Sequence, residues 1–328
     1  GGGISSNGVL IVMASDLAYN RTTQTGGAIT AWGVLTITNS RLIYNTATTG
    51  GGIYYLGVDV QDDSFSIQNS EVLSNSAESS GGGIYAGANG GDGVSVRIIA
   101  NVFRANSAQS LGSAAELNFG AGLPSDIRFE RNWVVGNLGE FGSTIRIFGR
   151  RFNLGNNIIA QNQGNGISVA TIEDVNQFVN NTIWQNQGAG LVFSGELTGE
   201  LLIQNNIVGA NRSIGIVGPA NEGSVKVEAS LRHNNIWANG LVNYSGVDDQ
   251  TGINGNLSVD PLMIAPNSAD GHLSACSPLI DAGRSEQSPS LDFFGNPRPF
   301  NDGWDIGAVE FQGETVCRHS WLPFIKRH

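Results

Sequence analysis

The chain has almost no lysine: Lys226 and Lys326 are the only two in 328 residues. It carries two cysteines, two methionines and four histidines, and only 14% of it is charged. Acids outnumber bases 28 to 17, for a formal charge of −11. So acidic a chain has no electrostatic footprint for nucleic acid, which is excluded as an expected partner. No apolar run approaches the roughly 18 residues of a membrane-spanning helix; Val9 to Ala14, six residues, is among the longest. No segment sustains a helical period, so long helices are not expected either. The histidines (His233, His272, His319 and His328) are scattered, and spacing suggests no Ser/His/Asp or Cys/His arrangement.

What is present is order at long range. The 46 glycines would suit a disordered linker, but 40% of the residues are hydrophobic and they fall into columns. An asparagine returns every 24 to 31 residues, at Asn20, Asn45, Asn75, Asn106, Asn137, Asn162, Asn186, Asn211 and Asn239. Three residues before each stands an apolar residue, from Leu17, Leu42 and Val72 through to Ile236. Eight residues before each stands another, from Val12, Ile37 and Ile67 through to Leu231. Five residues before, the column reads Ser15, Ser40, Ser70, then Asn from Asn101 to Asn234. A fixed period of this length means stacked repeats.

Within each repeat, stretches such as Leu35-Thr-Ile-Thr38 and Ile127-Arg-Phe-Glu130 alternate apolar with polar residues, the period of a half-buried strand. A third strand often opens with Gly-Gly-x-Ile, as at Gly26, Gly50 and Gly81, and more loosely at Gly142 and Gly164. Three short strands per coil describe a parallel β-helix of about nine to eleven coils, spanning residues 1–245. Asparagine tolerates the left-handed backbone region that a tight corner needs. Coils stacked about 4.8 Å apart put equivalent asparagine amides over one another, where each can donate and accept. The nine asparagines are therefore expected to form a structural ladder.

Near residue 245 the period stops, and residues 246–328 are richer in Pro and Asp. These residues are expected to form the final coil or coils and a capping segment. Both cysteines, Cys276 and Cys317, lie here; the expected state is a disulfide, the alternative two buried free thiols. The bond closes a loop of roughly 40 residues, worth about 4 kcal/mol in the chain-entropy model.

Three ordered blocks, Ser277-Pro-Leu-Ile-Asp-Ala-Gly283, Asp292-Phe-Phe-Gly-Asn-Pro-Arg298 and Asp305-Ile-Gly-Ala-Val-Glu-Phe311, resemble the carboxy-terminal signature of the bacterial choice-of-anchor Q surface proteins. The repeats are also similar to those of polymorphic outer-membrane proteins, with Phe103-Arg-Ala-Asn106 the cleanest match. The resemblance implies a right-handed parallel β-helix exported to the cell surface. It implies no particular activity, and the tail Trp321-Leu-Pro-Phe-Ile-Lys-Arg-His328 has Leu-Pro but not the Thr-Gly of a sortase signal.

Any chemistry would be presented by the outward positions. The residue between the two apolar positions of the first strand reads Ile11, Thr36, Ser66, Arg97, Arg128, Asn153, Gln177, Leu202 and Ser230. Arg97 and Arg128 are expected on adjacent coils with Glu130 and Arg131 nearby, a group that a polysaccharide lyase could use beside calcium. Mixed Arg and Glu is also what a solvated face carries. Asp59, Asp62, Asp63 and Asp92 fall in neighbouring loops, but their spacing supports no calcium site, and no cofactor is expected.

The sequence therefore favours a noncatalytic extracellular structural protein, a fibre subunit or an adhesin-like stalk. A polysaccharide-binding or polysaccharide-cleaving β-helix is the alternative. Expected partners are the protein itself, stacked head to tail, or cell-surface glycans. The chain begins on a third-strand motif, so a leader or preceding coil is expected to lie outside it. Stacking would use the first edge, Gly1, Gly2, Gly3 and Ile4, and the apolar tail residues Trp321, Leu322, Phe324 and Ile325.

Overall fold

The computed structural model describes every residue except 59–62, 89–92, 121–125, 140–141, 171–172, 196–197, 220–226 and 314–328. The described chain winds as an all-β parallel solenoid, with one four-residue helical turn at Val227–Ser230. Its strands fall into a 17-stranded sheet, a 9-stranded sheet and a short 3-stranded sheet. Nine strands in the second sheet mean about eight full turns, and a height of about 38 Å at the usual strand spacing. No helix among the described residues is long and apolar enough to cross a membrane.

Alternation places the core where the columns require it. The column from Leu17 to Ile236 occupies the middle of each strand of the nine-stranded sheet, in register and at most 8% exposed. The column from Val12 to Leu231 faces the same interior at 6% exposure or less. The third-strand residues Ile29, Ile53, Ile84, Ala115, Ile145 and Ile167 form a further inward column. Aromatic pairs fill the centre: Tyr55 stacks on Phe65 at 5.2 Å and Phe103 on Phe129 at 5.9 Å. Only at the last coil does the outward column fail. Ser230, expected outside, is 6% exposed because the helical turn replaces the strand there.

The asparagines form the expected ladder from Asn20 to Asn239. At each step the backbone N–H and Nδ2 of one asparagine both donate to Oδ1 of the next, as from Asn106 to Asn137 at 3.0 Å. Nδ2 also donates to the carbonyl three residues before the preceding asparagine, as from Asn106 to Val72 at 2.8 Å. Every peptide-like amide taken out of water is thereby paired. The left-handed residue of the corner is not the ladder asparagine but the one before it, for example Ala105 at φ 54° and Gln161 at φ 58°. The asparagine's amide serves the stack, and its neighbour takes the bend.

The column five residues earlier is a second ladder. It starts with hydroxyls, Ser15 N to Ser40 Oγ and Ser40 N to Ser70 Oγ, and continues in amides from Asn101 through Asn234 to Asn256. Both ladders close at the same end of the solenoid. Asn239 donates to Asn243, which stands in a third-strand position held by Gly215 one coil earlier. A Cβ on Gly215 would stand 2.7 Å from Asn239 Nδ2, so glycine is what lets the ladder pass. Asn256 turns its own N–H and Nδ2 back to Ile253 O, leaving no donor for a further amide rung.

After Ser245 the chain adds a partial turn, in which Leu257 bridges Asn235 in parallel. It then runs back along the outside of the solenoid. Residues 260–313 contribute Ala269, Leu273, Leu279, Ile306, Ala308 and Val309 to a second core, packed on Val135, Ile158, Ala160, Trp184 and Ile207. This strap is also hydrogen-bonded down. Trp133 Nε1 donates to Ala269 O, Trp184 Nε1 to Pro266 O, Asn156 Nδ2 to Leu291 O and Asn180 Nδ2 to Asp305 O, all between 2.7 and 3.1 Å.

Candidate functional site

The outward face of the large sheet carries the groups with chemical potential. Strand register puts Arg97 directly beside Arg128, with Ser66 on one flank and Asn153 on the other. Among the described residues, Arg97, Arg131 and Arg151 form no ion pair, and Arg128 has only a long one, 3.8 Å from Nε to Asp126 Oδ2. Glu130 lies half-buried among them. Burial pushes its carboxyl up, and Arg128, Arg131 and Arg97 draw it back. Among the described residues the arrangement has a cationic surplus, and its second carboxylate, Asp126, lies beyond Arg128 on the same strand as Glu130.

A parallel row was not foreseen. The residue that follows each Gly-Gly-x-Ile points outward, and in register these are Thr30, Tyr54, Tyr85, Glu116 and Arg146. Tyr54 and Tyr85 stack at 5.1 Å and 5°. Glu116, only 4% exposed, accepts from Arg146 Nη1 at 3.1 Å through Oε1, while its Oε2 has no hydrogen-bond partner among the described residues. The signal is present in the sequence, because this position immediately follows the Gly-Gly-x-Ile motif, but it lies outside the first strand's outward column. Chemically the row is an ion pair ending an aromatic stack.

The terminal blocks, the basis of the family resemblance, build a buried polar knot. Arg298 and Glu310, both with fully buried side chains, pair at 2.8 Å. Arg298 also donates to the carbonyls of Asp305 and Gly307. Asp292 accepts from the N–H groups of Asn296 and Glu310, and Asp305 from those of Asp281 and Phe311. One guanidinium thus faces three carboxylates, pairing with Glu310 and reaching Asp292 and Asp305 through its charge. Burial, and next the Glu310 charge, push the Asp305 carboxyl up to about 7. Burial likewise raises Glu310. The knot holds together the loops that present Leu279, Ile306, Ala308 and Val309 to the solenoid, so these residues have a structural use.

The remaining candidates are dispersed. Asp63 is 4% exposed and accepts from Val58 N–H at 2.6 Å, closing its own loop; Asp59, Asp62 and Asp92 lie outside the described residues. Among the described residues no group of three or more His, Cys, Asp or Glu is arranged to hold a metal. Cys276 is exposed and not free, while Cys317 lies outside the described residues, as do Trp321, Leu322, Phe324 and Ile325. Gly2, Gly3 and Ile4 donate to Gly26, Gly27 and Ala28 of the second coil, with Gly1 leading into this edge; its other side has no partner among the described residues. A cleft of about 590 Å³ beside it is lined by Ser5, Asn7, Trp32 and Val58, well away from the arginines. Comparison with known proteins returned no matching family model, no similar curated protein and no similar solved structure.

Proposed function

We propose that the chain is a noncatalytic structural rod displayed at a cell's outer surface, of the adhesin-like stalk kind. The observation that carries this reading is the pair of unbroken ladders running the height of the solenoid. Each coil is tied to the next by side-chain amides in addition to the backbone ladder, at two of its corners. The strap then joins five of the nine levels on the outside, from Trp133 to Trp237. Reinforcement of this kind resists shear and bending along the axis, which is what a stalk requires.

The resemblance of the terminal blocks to choice-of-anchor Q proteins supports the surface location. Right-handed winding belongs to the same reading, since parallel crossovers take that hand almost without exception. So does a Cys276–Cys317 disulfide, which an oxidising exterior permits. Of the two assemblies expected, the closed ladder ends at Asn243 and Asn256 favour a single stalk over an end-to-end fibre. Sedimentation velocity over a wide concentration range, with electron microscopy of the same samples, tests this. Single short particles at every concentration support the stalk; filaments that lengthen with concentration overturn it in favour of the fibre.

A further inference from the structure

The charge of the chain is unevenly placed. Residues 95–155 hold seven of the 15 arginines but only four carboxylates, Glu116, Asp126, Glu130 and Glu140, inside a protein whose net charge is −11. On the large sheet's outer face this surplus is concentrated where Arg97 and Arg128 stand side by side in register, with Arg131 and Arg151 close by and without an ion pair among the described residues, and with Asp126 as a carboxylate on the same strand as Arg128. Like charges directly opposite on neighbouring strands oppose folding. Nothing in the packing requires them, since both side chains point away from the core. An outside anion would relieve the repulsion.

The geometry points to a binding site for a linear acidic polysaccharide, laid along the solenoid axis across the coils of Arg97 and Arg128. Guanidinium groups grip carboxylates and sulfates with paired, directional hydrogen bonds. Above and below the two arginines the same column offers Thr36, Ser66 and Asn153, all half-exposed, before Gln177 is taken up by Gln287 of the strap. These are hydroxyl and amide groups, the partners that sugar hydroxyls need. They recur at the coil spacing of about 4.8 Å, close to the rise of one pyranose in an extended chain. No aromatic ring stands in this column on which a nucleobase could stack. The site adds a ligand to the proposed stalk and does not depend on how the stalk assembles.

Affinity electrophoresis of the intact protein through gels containing polygalacturonate, heparin or neutral dextran tests the inference. The wild-type chain is expected to be retarded by at least one of the two acidic polymers and not by dextran, and the effect should fade as salt rises. Which polymer retards it identifies the group bound, a carboxylate or a sulfate. The Arg97→Gln/Arg128→Gln double variant, on a solvent face and folded by circular dichroism, should bind at least tenfold more weakly. Arg41→Gln, on the nine-stranded sheet, should bind as the wild type does. Indifference of the wild type to both acidic polymers, undiminished binding by the double variant, or equal retardation by oligo-dT overturns it.

Discussion

Truncating one buried ladder residue, Asn106→Ala, measures what the amide stack contributes. Asn106 is fully buried. Its Nδ2 donates to Val72 O and to Asn137 Oδ1, and its Oδ1 accepts from the N–H and Nδ2 of Asn75. Alanine leaves Asn137 Oδ1 with the backbone N–H it already accepts, and Asn75 Nδ2 with its bond to Leu42 O. Two groups lose their partner in a place that water does not reach, the Asn75 N–H and one Asn75 amide hydrogen, while the Val72 carbonyl stays in the parallel ladder that pairs Val72 with Phe103. At about 1–3 kcal/mol for each orphaned buried group, the expected loss is about 2–6 kcal/mol. Asn20→Ala is the control. Asn20 is half-exposed at the open end and would give up only its Nδ2 bond to Asn45, for about 1 kcal/mol. Urea unfolding followed by circular dichroism gives the difference. Because solenoids need not unfold in one step, amide exchange around Asn75 should be read beside it. Equal, small losses at both positions would refute the reasoning.

Other expectations follow from the same geometry. Phe129→Ala removes a fully buried ring that stacks on Phe103 and should cost about 3–5 kcal/mol, whereas Arg128→Ala on the outward side should change the melting midpoint little; the reverse order would mean that the strand faces the other way. Asp305 holds its proton in the folded strap up to about pH 7, where the unfolded chain has already lost it. The stability it contributes is therefore complete below about pH 4 and is lost as pH rises towards 7. The melting temperature of the wild type relative to Asp305→Asn should fall between pH 5 and pH 8, and a flat difference would count against the buried carboxyl. Trp184→Ala deletes both a ring under the strap and the bond to Pro266, so protease cutting within 260–313 should accelerate while the ladder amides keep their exchange protection. If the two regions loosen together, strap and solenoid are one cooperative unit.

The solenoid was legible because its signals repeat. One Asn in a loop says little, but nine in register with two apolar columns left little room for another fold. The second ladder was half visible: the Ser and Asn column was recognised as a corner, yet its first three members are hydroxyls and gave no hint of an amide stack. The left-handed position is hard to assign at this corner because Asn is the usual occupant of that backbone region, while here Tyr, Ala and Gln bear the bend one residue before the ladder asparagine. The strap left a trace that periodicity alone would have found. Early strands of the nine-stranded sheet read Asp16-Leu-Ala18 and Arg41-Leu-Ile43, with one residue fully buried, whereas Ile158-Ile-Ala160 is buried on both faces. A continuous apolar run in a strand means that something covers its outside. The row from Tyr54 to Arg146 is hidden for a different reason: it lies on the third strand, and the outward column of the first strand carries no trace of it.

The claim that the protein does no chemistry is tested most directly by following the chain length of whichever acidic polysaccharide it binds. After prolonged incubation with the purified protein, the size-exclusion profile of the polymer should be unchanged, with no new reducing or unsaturated ends. A profile that shifts to shorter chains, and that Arg128→Gln restores to the starting length, would contradict a purely structural role and make the arginine row a catalytic centre.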